Sequence, residues 1–472
     1  MSMSRHLKKT LFAGVAALGM MTSPVASWAE TLGDALASAY KNSGLLEQNR
    51  ATLRAADEGV ASALSALRPM LSYSYQLSKQ KSYAATQTTQ ADAWSGLSDT
   101  LSFVASMDIY TFGRNKLSMD VQKEVVLATR AALVNVEQTV LANAVDAYMG
   151  VREAQALVNL RQSAVRLNQQ NLKAAQDRFD VGEITRTEVA QYEAQLASVR
   201  ADLASAQGEL SAAREAYKVA VGHYPQSLST PPNIKLPVAS LDAAVTTAKQ
   251  RHPGIIGLQH QVAAQDLAVT IAERNMLPTV SGSVTQSYSD TNSDKDTTSV
   301  GVGISGVIYQ GGAIASGVRG AIADRDAVRA ELLQTSREIE QGVRTNWAML
   351  SVYAAAEEAS NAYVKAQRVA YNGVKEEADL GASTTLDVLS AEQDLLDAQV
   401  SAIQARIARE TQAYSVLQSL GMLTVDQLKL NVPVYDPAAY YNAVKNAPTS
   451  YVSPQGEKLD RVLQGLMKQQ GQ

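Results

Sequence analysis

The chain contains no cysteine. That excludes disulfides, thiolate metal sites, a cysteine nucleophile and a lipid-bearing cysteine at a processed amino terminus. Large aromatics are scarce, with four Phe and three Trp in 472 residues, while alanine, glutamine and serine are abundant. A thick globular core needs large apolar groups. Thin, alanine-rich helix packing does not, because small side chains let helices approach closely. Basic charge is not in excess either: 42 Lys and Arg face 46 Asp and Glu, a formal net charge of −4. Nucleic acid is therefore not an expected partner, since its footprint is a basic stripe. After the amino-terminal region, no run of about 20 apolar residues is expected to cross a bilayer as a helix.

Catalytic and cofactor signatures are missing as well. Of four histidines, His252 and His260 lie eight apart rather than one helical turn, so they do not form a helical metal pair. No serine sits in a Gly-x-Ser-x-Gly elbow, and Gly301-Val302-Gly303 leads into strand residues rather than a phosphate-binding helix. The chain is read as a non-enzyme with no cofactor and no resident metal.

Residues 1–29 read as a secretory leader, the competing reading being an amino-terminal anchor. Arg5, Lys8 and Lys9 precede a short apolar stretch from Leu11 to Met21, and Ser27-Trp28-Ala29 offers small residues for cleavage before Glu30. Losing it would leave the chain more acidic, because the leader carries those cations and no acid.

The rest is written twice. Tyr110 and Tyr309 stand 199 residues apart (309 − 110), and so do Gly182 and Gly381. Pro69 and Pro278 are 209 apart (278 − 69), so the first copy carries about ten extra residues upstream of Tyr110. The period is too long for a solenoid. It marks a duplicated half-molecule, with a first repeat at 30–222, a linker at 223–240 rich in proline, a second repeat at 241–420, and an irregular belt and tail at 421–472.

Each repeat reads as short helix, two strands, long helix, turn and return helix. The first helix opens at the capping pattern Thr31-Leu32-Gly33-Asp34 and is expected to run to Leu67, stopped by Pro69. Two-residue alternation follows, with Leu71, Tyr73, Tyr75 and Leu77 between serines and glutamine, then Leu101, Phe103, Ala105, Met107 and Ile109. Strands are expected at about 71–81, 97–111, 279–289 and 298–310. Proline-free runs predict long helices at about 113–180 and 312–379, with return helices at about 186–221 and 385–420. Heptad spacing, such as Val189, Leu196, Leu203, Leu210 and Tyr217, argues that each pair packs as a coiled-coil hairpin.

The expected fold class is therefore mainly α with a membrane β-barrel contribution. Four amphipathic strands cannot close alone, since a bilayer offers no water to an open edge and the smallest barrels have about eight strands. Three chains would pool twelve strands, and their hairpins would extend the pore as a tunnel. The bland alternative is a small soluble sheet packed on a helical bundle.

At this point the chain resembles the TolC family of outer-membrane channel proteins over essentially all its length beyond the leader. The resemblance rests on Thr31-Leu32-Gly33-Asp34-Ala35-Leu36 with Ala39-Tyr40-Lys41-Asn42, on the turns at Tyr110–Gly113 and Tyr309–Gly312, and above all on the tip from Arg178 to Gln191. Val432-Pro433-Val434-Tyr435-Asp436-Pro437 is similar to the branch used in type I secretion. The resemblance implies a homotrimer in outer-membrane lipid with a periplasmic helical tunnel. It implies passive export, with energy from an inner-membrane ABC or proton-driven transporter joined through a periplasmic adaptor protein. It also implies a gate at the periplasmic end. One acidic ring position of the family falls on Asp387 and a second on Ser390, which is not acidic. A latching arginine of some members falls on Ser383; Arg186 on the other hairpin is the candidate replacement. Glu188 is the repeat equivalent of Asp387. A structural role competes for both acids, because Thr185 with Glu188 and Thr384 with Asp387 each fit a capping box. Adaptor docking is expected at Val181, Gly182, Thr185, Thr187, Gly381 and Thr384. The alternative from a different class is a secreted trimeric coiled-coil adhesin, whose stalk would run parallel rather than as antiparallel hairpins.

Overall fold

A computed structural model describes residues 29–81, 95–232, 234, 236–290 and 295–447. The leader, apart from Ala29, and the tail beyond Ala447 lie outside the described residues. Two short helices, α1 (Leu32–Asn42) and α2 (Gly44–Ser65), precede the strands β1 (Met70–Lys81) and β2 (Ser95–Tyr110). The long helix α3 (Arg114–Asp180) and its return α4 (Arg186–Val221) complete the first repeat. The second repeats the order with α5 (Leu241–Arg251), α6 (Pro253–Arg274), β3 (Thr279–Asp290), β4 (Lys295–Ser305), α7 (Ala313–Asp379) and α8 (Thr385–Ser419). A short helix α9 (Ala439–Val444) follows in the carboxy-terminal segment.

α3 and α7 each run 67 residues, roughly 100 Å at 1.5 Å per residue. Gly113 and Gly312 open them at φ of 83° and 84°, left-handed positions that turn the chain sharply out of the strands. α3 packs antiparallel on α4, and α7 on α8. The antiparallel hairpins exclude the parallel stalk of an adhesin.

Three expectations need correction. The helix expected from Thr31 to Leu67 is broken at Ser43, whose extended backbone (ψ 112°) and side-chain oxygen, accepting from Leu46 N at 3.2 Å, start a new helix. Local capping by serine competes with helix continuation. The second repeat breaks correspondingly at His252, where Pro253 follows and His252 Nδ1 accepts from Gly254 N. β4, expected at 298–310, occupies Lys295–Ser305 instead. Its partner β3 begins at Thr279, paired with Ser305, and Pro278 lies against Gly306 with no N–H to offer. Tyr309 is therefore not in a strand and is 85% exposed. Finally, one window of α3 is apolar enough to cross a membrane by length and composition. Yet α3 packs along α2, α4 and α6, which accounts for that apolar character.

The core sits where the short helices, the linker and the carboxy-terminal belt surround the middle of the hairpins. Leu36, Tyr40, Leu141, Tyr148, Tyr217, Leu420 and Leu423 form one buried cluster, with Ile234, Leu236 and Val432 packed against it. Glu30 pins the linker to the helices. It forms a parallel bridge with Leu228, and its Oε1 accepts from Tyr217 Oη at 2.6 Å. The Tyr148 hydroxyl lies 2.7 Å from Ser229 O and 3.0 Å from Glu30 O. α7 contrasts with α3: it buries only Val343 and Tyr371, and Leu333, Val352 and Val369 stand exposed.

Asp57 on α2 is wholly buried beneath the belt, and neither carboxylate oxygen has a hydrogen-bond partner. Burial pushes its pKa up to about 6, with the Arg130 guanidinium pulling it down and Glu58 pushing it further up. A carboxyl whose folded pKa is raised supports the fold while protonated and stops doing so as pH rises through that value. Asp57→Asn is therefore expected to raise the thermal midpoint relative to wild type at about pH 8, with the gain shrinking toward about pH 5. Thermal unfolding of both proteins at the two pH values checks this.

Candidate functional site

Two regions hold the residues and faces singled out from the sequence, the sheet and the hairpin tips. The sheet has the order β1-β2-β3-β4 with every pair antiparallel, so β2–β3 pairing joins the two repeats and β1 and β4 form its edges. Register aligns the side chains into two unlike faces. Leu71, Tyr73 and Tyr75 stand opposite Ala105, Phe103 and Leu101; Val280, Gly282 and Val284 stand opposite Ile304, Val302 and Val300. Leu71, Tyr73, Val300 and Ile304 are each more than 70% exposed. The other face is hydroxyl-rich. Ser102 Oγ lies 3.0 Å from Ser287 Oγ, and Thr100 Oγ1 lies 3.3 Å from Ser289 Oγ. Alternation along each strand becomes a broad apolar sheet face because the pairings keep one register across the four strands apart from a shift between Asp108 and Tyr110.

At the tips, each long helix ends through a glycine. Gly182 (φ 81°) and Gly381 (φ 78°) take the left-handed conformation expected of them. In the first tip Glu183 N donates to Arg178 O at 2.9 Å, and in the second Ala382 N donates to Glu377 O at 2.8 Å. The return helices then start on reciprocal capping boxes. Thr185 N donates to Glu188 Oε2 at 2.6 Å while Glu188 N donates to Thr185 Oγ1 at 3.3 Å. Thr384 N donates to Asp387 Oδ2 at 2.9 Å while Asp387 N donates to Thr384 Oγ1 at 3.3 Å. The cap hydrogen bonds from Thr384, side chain first and then backbone, hold the Asp387 carboxyl below its usual range. Those from Thr185, backbone first, do the same for Glu188. Both acids stay ionised well into the acid range.

Only some of the singled-out residues meet. Glu188 Oε1 also accepts from Thr385 Oγ1 at 3.3 Å, so this one carboxylate ties the first tip to the second. Asp387 and Ser390 stay exposed on α8. Arg186 is exposed, with no hydrogen bond or ion pair among the described residues; the tip's ion pair is instead Arg178 with Glu183, at 3.2 Å. Ser383, at the latch position, donates to Glu377 Oε2 at 2.8 Å. Val181, Gly182, Thr185, Thr187, Gly381 and Thr384 all lie on the exposed tip surface. Reading the sequence missed Leu380, the repeat equivalent of Val181. The two are 87% and 72% exposed, a matched pair of apolar knobs beside the turn glycines. The 199-residue offset, applied to Val181, was the signal that could have found it.

Removing a cap hydroxyl should loosen its tip without disturbing the rest. Thr384→Ala is expected to speed amide exchange several-fold over residues 385–389, leaving residues 186–190 unchanged, as read by hydrogen–deuterium exchange.

Comparison with known proteins agrees with this geometry. The profile of the family described as "Outer membrane efflux protein" matches residues 35–223 and 244–422, one segment in each repeat. The chain is 33% identical over 454 residues to the outer membrane efflux protein BepC of Brucella suis biovar 1 (strain 1330), covering 95% of this chain and 98% of that protein. It is 24% identical over 331 residues to the outer membrane protein TolC of Salmonella enteritidis, covering 64% of this chain and 65% of that one. Among solved structures, the Campylobacter jejuni CmeC outer membrane channel superposes with a TM-score of 0.74 at 18% identity, covering 89% of this chain and 90% of that one. With the family model spanning both repeats and a 33% identical relative covering nearly the whole chain, the chain belongs to the outer membrane efflux protein family and is an outer-membrane efflux channel protein with a helical tunnel domain, not an enzyme.

Proposed function

We propose that three copies of this chain close their sheets into one twelve-stranded barrel and their hairpins into one periplasmic tunnel, the passive exit duct of a tripartite efflux or type I secretion system. The observation that carries this reading is that β1 and β4 are the edge strands of the sheet among the described residues, and that its broad apolar face is exposed. In lipid those edges require partners. The nearly unburied α7 argues the same way, since its exposed leucine and valines need a neighbouring chain. The apolar face then meets outer-membrane lipid and the serine–threonine face lines water.

In this reading the tips form the periplasmic gate and the docking surface. Asp387, exposed and held ionised by its own cap, supplies one carboxylate per chain to a ring around the axis; Glu188 ties the hairpins together nearby. Ser390 leaves the second ring position uncharged, and Arg186, which is unpaired within the chain among the described residues, takes the part of the latching cation absent at Ser383. Val181 and Leu380, with Gly182, Thr185, Thr187, Gly381 and Thr384 around them, give a periplasmic adaptor an apolar and hydroxyl-lined seat. The adaptor in turn couples the duct to an inner-membrane ABC or proton-driven transporter.

Two experiments test this. Light scattering of the detergent-purified protein should give three times the mass of one chain; a compact monomer would overturn the assembly. In planar bilayers, trivalent cations should block wild-type conductance from the periplasmic side, as acidic rings bind cations in channels. Asp387→Ala should abolish that block, and persistent block in the variant would remove Asp387 from the gate.

A further inference from the structure

Where the two hairpins meet, about two turns in from the tips, one carboxylate is enclosed by all four long helices. Glu392 of α8 is 7% exposed. Its Oε1 accepts from Asn168 Nδ2 at 2.5 Å and its Oε2 from Asn171 Nδ2 at 3.1 Å, both donors belonging to α3 of the other hairpin. Tyr371 and Lys375 of α7 and Tyr192 of α4 complete its surroundings. α3 meets it with the amides of Asn168 and Asn171, Lys375 is the cation beside it, and burial pushes both tyrosine hydroxyls up, so they stay neutral. α8 and α3 form the main contact between the hairpins along their length, so this cluster lies in the seam that would have to part if the periplasmic ends splay.

The cluster fits a neutral partner better than a charged one. Asn168 is 1% exposed and uses Nδ2 on both Ala164 O and Glu392. Its Oδ1 is buried without any donor. An ionised carboxylate brings no donor into this cluster of unsatisfied acceptors, whereas a protonated one adds an O–H to it. Flipping the Asn168 amide would not help, because Oδ1 would then face the Ala164 carbonyl and the carboxylate, two acceptors. A buried, incompletely satisfied charge is costly, and the two amides and Lys375 offset the cost only in part.

We propose that Glu392 is a proton-sensitive wedge in the seam between the hairpins: protonated, it locks α8 onto α3, and ionised, it biases the periplasmic ends toward parting, so that mild acid narrows the channel. The proposal rests on the reading of these hairpins as the wall of an efflux duct. Its sign follows from linkage. Burial pushes the Glu392 carboxyl above its usual range, so it holds a proton more tightly in the closed seam than in a parted, hydrated one. Lowering the pH therefore favours the closed seam. Asp387 and Glu188, both held below their usual range, keep their charge over the same interval. Glu193, the repeat equivalent of Glu392, is exposed and forms no such cluster among the described residues.

The test uses the full-length protein in planar bilayers of phosphatidylethanolamine and phosphatidylglycerol, recorded from about pH 8 to about pH 5. Wild-type open probability should fall on acidification. Glu392→Gln, neutral and carrying an amide donor of its own, should have an open probability about tenfold lower than wild type at the upper pH and a flat profile below it. Lys375→Ala, at an exposed position, should move the wild-type midpoint to higher pH, because the carboxyl loses its neighbouring cation. An E392Q variant with the wild-type level and slope would overturn the proposal, as would an unmoved midpoint in K375A should E392Q fail to assemble. A wild type without conductance at any pH would instead sink the channel reading. The seam would then be judged by hydrogen–deuterium exchange over residues 165–171 and 389–395 at one pH, where slower exchange in E392Q supports the wedge and equal exchange overturns it.

Discussion

A backbone N–H or C=O inside a bilayer has to be paired, because nothing in hydrocarbon will pair with it. Most of this molecule follows from that constraint. Among the described residues the chain supplies four antiparallel strands with β1 and β4 at the sheet's edges, and Leu71, Tyr73, Val300 and Ile304 lie on one broad apolar face. Such a sheet is unfit for water on that face and unfit for lipid at its edges. Both conditions are met together only when identical sheets close on one another. The same incompleteness continues below the sheet, where α7 has hardly any buried residues of its own.

Duplication explains how one chain provides a curved wall rather than a compact core. Both repeats use left-handed glycines to turn from sheet to helix and from outgoing to returning helix, and both start the return helix on a threonine–acid cap. Side chains at the tips are spent on satisfying helix ends, which leaves the tip surface to apolar knobs and a few free charges. The acids at Glu188 and Asp387 are thus structural caps by their hydrogen bonds. Any role in selectivity is added to that duty, since a carboxylate can accept from the backbone and still present its charge to an axis.

The repeats have also diverged where they touch. β4 stops at Ser305 because Pro278 ends its partner, while β2 continues to Tyr110 past an irregularity in its register. Glu392 is walled in by helices of both hairpins, yet its counterpart Glu193 faces outward. Within one chain the two hairpins therefore meet through a seam that is polar at Glu392, at the Glu188–Thr385 hydrogen bond and at the Arg152–Glu410 ion pair. Packed apolar seams are hard to adjust finely, whereas a single buried carboxylate responds to its protonation state.

Much of this was legible in the residues. Local periodicity gave the strand alternation of Leu71 to Leu77 and the proline-free helices, because side-chain direction repeats every two residues in a strand and every 3.6 in a helix. Glycine and threonine–acid spacing gave the tips, because caps are satisfied within three or four residues. The break at Ser43 was missed because a serine can either cap a helix or sit inside one, and only packing against α3 chooses. The end of β4 depended on where β3 starts, a pairing 26 residues away in sequence between Thr279 and Ser305 (305 − 279). Asn168 and Glu392, 224 residues apart, show nothing unusual in their local patterns. Composition and spacing fixed the kind of wall this chain builds, since those are properties of neighbours along the backbone. Which polar groups ended up sealed inside the seam was decided only when distant helices came together, because burial is a property of the assembled surface and not of any stretch of sequence.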